Sequence, residues 1–267
     1  MSIISLLSDF GHKDPYVAEM KAVILSIRSE VRIVDVTHEV EKFNIRMGAY
    51  VLASAAPYFP PNTVHVAVVD PGVGTQRRAI IVETRHSFYV GPDNGLLMLA
   101  AQKEHMTNVY TIDNPKYMLP NVSKTFHGRD IFAPTAAYLA AGTKPSDFGA
   151  VIDDYTVPDF VKPHQRNGEL LGEVLHIDDF GNIISNISAE DLKNVGINEG
   201  TALQVRLGDK IVSLMFCSAY GEVAADAPLA LVGSSGFLEV AINQGSASRT
   251  FGAKVSDAFC VSIVSGQ

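Results

Sequence analysis

The stretch of this chain best equipped for chemistry is Val68-Val69-Asp70-Pro71-Gly72-Val73-Gly74-Thr75-Gln76-Arg77-Arg78, where an apolar run ends in a carboxylate, a tight turn and two arginines. Pro71 cannot donate to a strand ladder, and Gly72 and Gly74 permit positive φ. The backbone therefore turns away after Asp70 and leaves its carboxylate facing a crevice. Arg77 is near enough in sequence to return and pair with it. Asp9 and Asp35 also follow apolar runs, and His127 stands in Thr125-Phe126-His127-Gly128-Arg129-Asp130, just before a helix. Backbone N–H groups at a helix start disfavour imidazolium, which makes His127 a candidate neutral polariser. Asp, Arg and His in this combination can orient and polarise a water molecule without a metal. The same aspartates with His12, His38 and His127 can instead hold a divalent ion that activates the water. No His-x-x-x-His or Cys-x-x-Cys spacing decides between the two. A third reading is a non-catalytic crevice that binds a nucleoside.

These residues need elements to hold them. Residues 63–69 are β-branched and apolar enough for a strand buried on both faces, as parallel strands between helices are. Residues 3–7 and 31–36 read as two more strands. Asp14-Pro15 opens a helix with Asp as N-cap and Pro at the first helical position, and Val17, Met20, Ile24 and Ile27 give that helix a core face. Residues 45–56 form a second helix, stopped by Pro57. Residues 78–84 read as a strand, and with Arg where a third Gly belongs, Gly72-Val73-Gly74-Thr75-Gln76-Arg77 is no dinucleotide fingerprint. A turn at 91–95, a helix from 96 to 101, a strand from 109 to 112 and a helix from 131 to 140 complete the region. Asp9, Asp35 and Asp70 then fall at strand ends along one sheet edge, where open α/β sheets place their ligands.

The expected fold is an α/β N-terminal domain, 1–150, with a mostly parallel sheet between helices, followed by a smaller all-β domain. Residues 151–168, with Asp153-Asp154, Pro158 and Pro163, read as a linker. From 169 to 267 the chain offers short strands at 170–177, 202–207, 211–216, 229–232, 237–242 and 259–263, an antiparallel, barrel-like pattern. Its polar turns are Ile177-Asp178-Asp179-Phe180-Gly181-Asn182 and Ser234-Ser235-Gly236.

With 267 residues, 47% of them hydrophobic, the chain can bury a substantial core, and disorder is not a candidate. A formal net charge of -8 argues against a general nucleic-acid binder and suits a cationic or neutral small substrate. The two cysteines, Cys217 and Cys260, lie in apolar strand-like surroundings, as buried small hydrophobes of a reducing compartment do. Residues 1–7 lack a basic leader and meet Asp9 too early for a signal peptide, and no apolar run approaches the ~20 residues of a membrane span. A soluble cytoplasmic protein with no membrane partner is expected.

Seven motifs, in order along both domains, together resemble one family: Ser8-Asp9-Phe10-Gly11, Val36-Thr37-His38, Asp70-Pro71-Gly72-Val73-Gly74 with Arg77-Arg78, Pro92-Asp93-Asn94-Gly95, Phe126-His127-Gly128-Arg129-Asp130, Asp178-Asp179-Phe180-Gly181-Asn182 and Glu239-Val240-Ala241-Ile242-Asn243. The chain is similar to the S-adenosyl-L-methionine hydroxide adenosyltransferases, hydrolases related to the adenosylmethionine-dependent fluorinase and chlorinase. The resemblance implies hydrolysis of S-adenosyl-L-methionine to adenosine and L-methionine, with no metal or other cofactor. It implies a homotrimer whose sites lie between one subunit's N-domain and its neighbour's C-domain. The positions matching the family's water-presenting triad are Asp70, Arg77 and His127, which the halogenating relatives lack. Asp9 matches the carboxylate that holds the ribose hydroxyls, Phe180 and Asn182 match adenine contacts, and Asp178 and Ser234 match methionine-side positions. Ser235 and Glu239 fall in that same substrate-binding region.

Overall fold

Ile4 and Leu6 point to one side of strand β1 (Ile3–Ser8), Ser5 and Leu7 to the other, and all four are buried, so β1 runs through the middle of a layered core. It belongs to the first of two units, Met1–Pro158 and Asp159–Gln267, into which the chain divides in the computed structural model. Residues 2–166 and 168–264 are described; Met1, Asn167 and residues 265–267, which fall within the three expected segments, lie outside the described residues.

In the first unit the strands β2 (Arg32–Thr37), β3 (Val64–Val68), β4 (Ala79–Thr84), β5 (Phe88–Pro92) and β6 (Met106–Thr111) join β1 in the order β2-β1-β3-β5-β4-β6. The pairs β2–β1, β1–β3 and β3–β5 are parallel, while β5–β4 and β4–β6 are antiparallel. Helices cover both faces. On one lie α1 (Tyr16–Ile27) and α4 (Ala133–Ala140), whose Met20, Ile24, Ala133, Ala136 and Ala137 pack with Ile4, Leu6, Val66 and Val68. On the other lie α2 (Ile45–Ala55) and α3 (Met98–Lys103), where a Cβ on Gly48 of α2 would crowd the Leu96 and Val69 side chains. Each fully buried Leu or Ile in such a layer contributes about 1.5–3 kcal/mol relative to exposure.

The topology positions the site. From β1 the chain crosses to β2 on one side and then to β3 on the other side of β1, with β5, β4 and β6 beyond it. The carboxyl ends of β1 and β3 therefore flank a topological switch point, the usual ligand crevice of an open α/β sheet.

Three local expectations are corrected. Asp35 lies inside β2, level with Leu6 of β1 rather than at a strand end, and pairs with Lys21 of α1 at 2.6 Å, so it does not face the crevice. Asp14 does not cap α1; Pro15 occupies the N-cap position without any side-chain cap bond, and Asp14 lines the crevice instead. Gly91-Pro92 belongs to β5 rather than to a turn, because Ala79 and Ile80 of β4 pair with Pro92 and Gly91.

The second unit begins with β7 (His164–Arg166), inside the stretch that reads as a linker, and continues with β8 (Glu169–Ile177), β9 (Ile183–Ser188), α5 (Ala189–Asn194), β10 (Ala202–Leu207), β11 (Lys210–Cys217), β12 (Pro228–Val232), β13 (Phe237–Ile242), α6 (Ala247–Phe251) and β14 (Ala258–Ile263). Strands β14-β10-β11-β12-β13-β9-β8 form a ring that β14–β8 pairing closes, with β7 on the flank of β8. β10 alternates cleanly, Leu203, Val205 and Leu207 buried and Ala202, Gln204 and Arg206 exposed, as one-sided barrel strands do. β9 escapes the sequence reading because the polar Ser185 and Asn186, both buried here, interrupt the apolar run that marks a strand covered on both faces. Cys217 and Cys260 are both buried and form no disulfide. Among the described residues no helix is long and apolar enough to cross a membrane.

Candidate active site

β3 carries the chain through Val69 to Asp70, and two overlapping turns follow. Val73 N–H donates to the Asp70 carbonyl at 3.3 Å, and Thr75 donates to the Gly72 carbonyl from its amide at 3.2 Å and its hydroxyl at 2.7 Å. Gly74 has φ +75°, and a Cβ there would run into the Lys124 carbonyl, so conformation and close approach both require glycine. The turns return Arg77 to Asp70. Its Nε donates to Oδ1 at 2.9 Å and its Nη2 to Oδ2, a two-pronged pair with side chains only 9% and 5% exposed. The Phe132 ring lies 5.3 Å from the guanidinium carbon and covers the cation.

Arg77 Nη2 also lies 2.9 Å from His127 Nδ1, fifty residues further along the chain. A guanidinium only donates, so Nδ1 presents its lone pair and the single ring proton sits on Nε2. Burial and the Arg77 charge push the His127 pKa below its ordinary 6.5, against the opposing pull of Asp70 and Asp130. The imidazole is thus neutral through burial and a cation, where the sequence pointed to the helix start. That start differs from expectation as well: the helical backbone begins with a π-helical turn, Gly128–Phe132, that runs directly into α4.

Asp70 and His127 line a crevice of about 250 Å³, with Asp9, Asp14, Lys42 and the rings of Phe10, Tyr16, Phe43 and Phe126. Arg77 stands behind that wall and ties its two polar groups together. Asp9 follows β1 directly, is buried, and accepts the Phe43 amide on Oδ2 at 2.9 Å, while Lys42 Nζ donates to the Asp9 carbonyl. Phe10, Tyr16 and Phe126 meet edge to face with centroids 5.2–5.8 Å apart. Sequence reasoning missed Phe43, which is 69% exposed at the crevice with φ 66°, a left-handed backbone that nothing in Lys42-Phe43-Asn44 announces.

In the second unit Asp178 and Asn182 close the turn after β8: Asn182 donates to Asp178 Oδ1 from its amide at 2.8 Å and to Oδ2 from its side chain at 2.9 Å. Gly181, with φ +85°, lies so close to Ser246 that no side chain fits, and Phe180 beside it is 81% exposed. Glu239 is buried on β13, accepts the Tyr220 hydroxyl, and abuts the backbone of Gly233. Burial raises its pKa above 4.5, and the Asp178 charge adds to the shift while Tyr220 opposes it. Ser234 and Ser235 occupy the turn between β12 and β13, just after Gly233. The structure thus brings together Asp70, Arg77, His127 and Asp9 within the first unit, and Asp178, Asn182 and Glu239 within the second.

Among the described residues, no three His, Cys, Asp or Glu side chains gather so as to hold a metal ion. His12 and His38 do meet edge to face at 5.2 Å, but both His38 nitrogens are engaged, by Ser8 and Asp35.

Residues 4–149 match the model of the SAM hydroxide adenosyltransferase N-terminal domain, and residues 172–260 match that of the C-terminal domain. The chain belongs to the SAM hydroxide adenosyltransferase family. It is 39% identical over 261 residues to a Thermus thermophilus protein named (R)-S-adenosyl-L-methionine hydrolase, covering 95% of this chain and 97% of that one. A fluorinase of Actinopolyspora mzabensis is 30% identical over 284 residues, covering 94% of each. A crystal structure of an uncharacterized conserved protein from Thermotoga maritima superposes with a TM-score of 0.86 at 39% identity, covering 97% of this chain and 99% of that chain. The resemblance read from seven motifs is therefore a family membership that spans both units.

Proposed function

We propose that this chain hydrolyses (R)-S-adenosyl-L-methionine to adenosine and L-methionine, with the water held between Asp70 and His127. The observation that carries the reading is the Arg77 guanidinium, which fixes both groups from behind the crevice wall. Each Asp70 oxygen keeps a lone pair for a water proton, and His127 Nε2–H supplies a donor to the water oxygen. The water's remaining lone pair then attacks ribose C5′ in line with the sulfonium sulfur. The O–C5′ bond forms, the C5′–S bond breaks with its electron pair staying on sulfur, and one water proton leaves by way of Asp70.

Positive charge on sulfur disappears as the bond breaks, so a crevice lined by aromatic rings favours the transition state over the fully cationic substrate. A carboxylate engaged by arginine orients a water more than it deprotonates it, and alignment supplies most of the acceleration. Arg77 acts as a positioning residue for both partners of the water. Asp9 holds the ribose hydroxyls, Phe180 and Asn182 the adenine, and Asp178, Ser234, Ser235 and Glu239 the methionine side.

At about 250 Å³ the crevice of the first unit falls below the roughly 300–1,000 Å³ of sites that enclose a whole ligand. That supports a site completed by a further surface, which the reading assigns to a neighbouring copy's second unit in a homotrimer. The reading also carries metal independence and a cytoplasmic location.

Incubation with (R)-S-adenosyl-L-methionine and chromatography should yield adenosine and methionine at the same rate with and without EDTA. Asp70→Asn should lower kcat about 10²–10⁴-fold and leave adenosine affinity within a few-fold. Absence of adenosine, or an Asp70→Asn variant at full rate, overturns the reading. Light scattering should give the mass of three chains, and a monomer active at full rate removes the shared-site part.

A further inference from the structure

The motif Val36-Thr37-His38 has no part in the chemistry above, yet it ends in a buried histidine with a chain of polar partners. His38 Nδ1 lies 2.7 Å from Ser8 Oγ, and its Nε2 lies 3.1 Å from Asp35 Oδ1. Ser8 and His38 are both buried, whereas Asp35 is partly exposed and takes Lys21 Nζ at 2.6 Å. An ionised Asp35 only accepts, so the ring proton must sit on Nε2. Burial holds His38 below its ordinary pKa, against the opposing pull of Asp35 and with smaller downward contributions from His12 and Lys21. The ring is therefore neutral, Nδ1 is a lone pair, and Ser8 donates its hydroxyl proton to it. The chain runs in one direction, Ser8 O–H to His38 and His38 N–H to Asp35.

Serine, histidine and aspartate in a row suggest a nucleophile, but this serine is not built as one. Its hydroxyl is buried, and its oxygen already accepts the Phe10 amide at 3.3 Å. What the row holds is the turn on either side of Asp9. Ser8 Oγ fixes Phe10, the His38 carbonyl accepts Gly11 N–H at 2.7 Å, and the Ser8 carbonyl accepts Val40 N–H at 3.4 Å. From the same 38–43 segment, Lys42 and Phe43 reach the carbonyl and carboxylate of Asp9. The irregular register between Leu6 and Leu7, where β1 meets β2, lets the end of β2 deliver His38 beneath this turn.

We propose that Asp35, His38 and Ser8 form a positioning relay that sets the direction of the Asp9 carboxylate, and hence the selectivity of the crevice for a ligand with free ribose hydroxyls. This rests on the reading that Asp9 holds those hydroxyls. Asp35 thereby serves the site through His38, from outside the crevice in which its place after an apolar run suggested it would lie.

The test compares adenosine with 2′,3′-dideoxyadenosine by calorimetry in the full chain, wild type against Ser8→Ala and Asp35→Asn, with melting temperature recorded for each. Wild type should bind adenosine more tightly. Both variants should weaken adenosine by about tenfold while leaving dideoxyadenosine within twofold, because the carboxylate that the relay aims meets only the hydroxyls. Asp35→Asn, altered at the partly exposed end, should keep its melting temperature and so guards against a fold defect in Ser8→Ala. Equal losses for both nucleosides, or none, overturn the relay while leaving the reading of Asp9 intact. A wild-type protein that does not distinguish the two nucleosides overturns the role of Asp9 and the relay with it.

Discussion

In Met1–Pro158 the Asp70 carboxylate is answered by a guanidinium and, through it, by a histidine fifty residues further on; in Asp159–Gln267 the Asp178 carboxylate is answered by the amide of Asn182, four residues on. The first arrangement is a charged knot drawn from two distant loops, sealed against Phe132 and nearly dry. The second is a local turn that satisfies itself and leaves a phenylalanine ring in the open. The groups proposed to hold the water are joined by cross-connections between elements, whereas Asp178 and Asn182, proposed for the methionine and adenine sides, are joined within one short turn. The two regions should therefore respond differently to substitution.

The largest difference is in stability. Arg77→Ala leaves Asp70 and His127 without their shared donor in a buried place, and removal of one partner from such a pair costs about 3–5 kcal/mol. Chemical denaturation should show that loss together with a collapse in kcat, and a variant of unchanged stability would break the contrast. Phe180→Ala should do the opposite. An exposed ring contributes within about 0.5 kcal/mol to folding, so stability stays put while KM rises about tenfold as a stacking surface is lost. An unchanged KM would remove Phe180 from the site.

The smallest effect sharpens the comparison by its sign. His127 is depressed from 6.5, so its stabilising contribution is present above pH 6.5 and is lost as pH falls through the lower folded value. Glu239 is raised from 4.5, so its contribution is present below pH 4.5 and is lost as pH rises through the higher folded value. Denaturation across pH should show His127→Asn removing a decline on the acid side of 6.5, and Glu239→Gln removing one on the alkaline side of 4.5. Turnover should fall with protonation of His127, because imidazolium cannot accept from Arg77.

Much of this was open to a reader of the bare chain. Apolar runs that end in Asp9 and Asp70, with Pro71 and Gly74 behind the latter, announce strands that stop at a crevice, because proline and glycine chemistry is local. The strands of the second unit that alternate were equally plain. Asp35 misled because a carboxylate near the end of an apolar run looks the same whether it tops the strand or sits on its flank beside Lys21. β9 was hidden by Ser185 and Asn186, polar residues inside a buried strand, and Phe43 by a backbone conformation that its neighbours do not encode. The engagement of His127 by Arg77 depends on a tertiary approach that spacing alone cannot report.

The closed ring of the second unit bears on how copies of the chain meet. Because β14 pairs with β8, these two strands of the ring have partners on both sides, and the flanking strand β7 is a stub of three exposed residues, His164, Gln165 and Arg166. Backbone templating between molecules, the first step toward fibrils, therefore finds no purchase along β8 or β14.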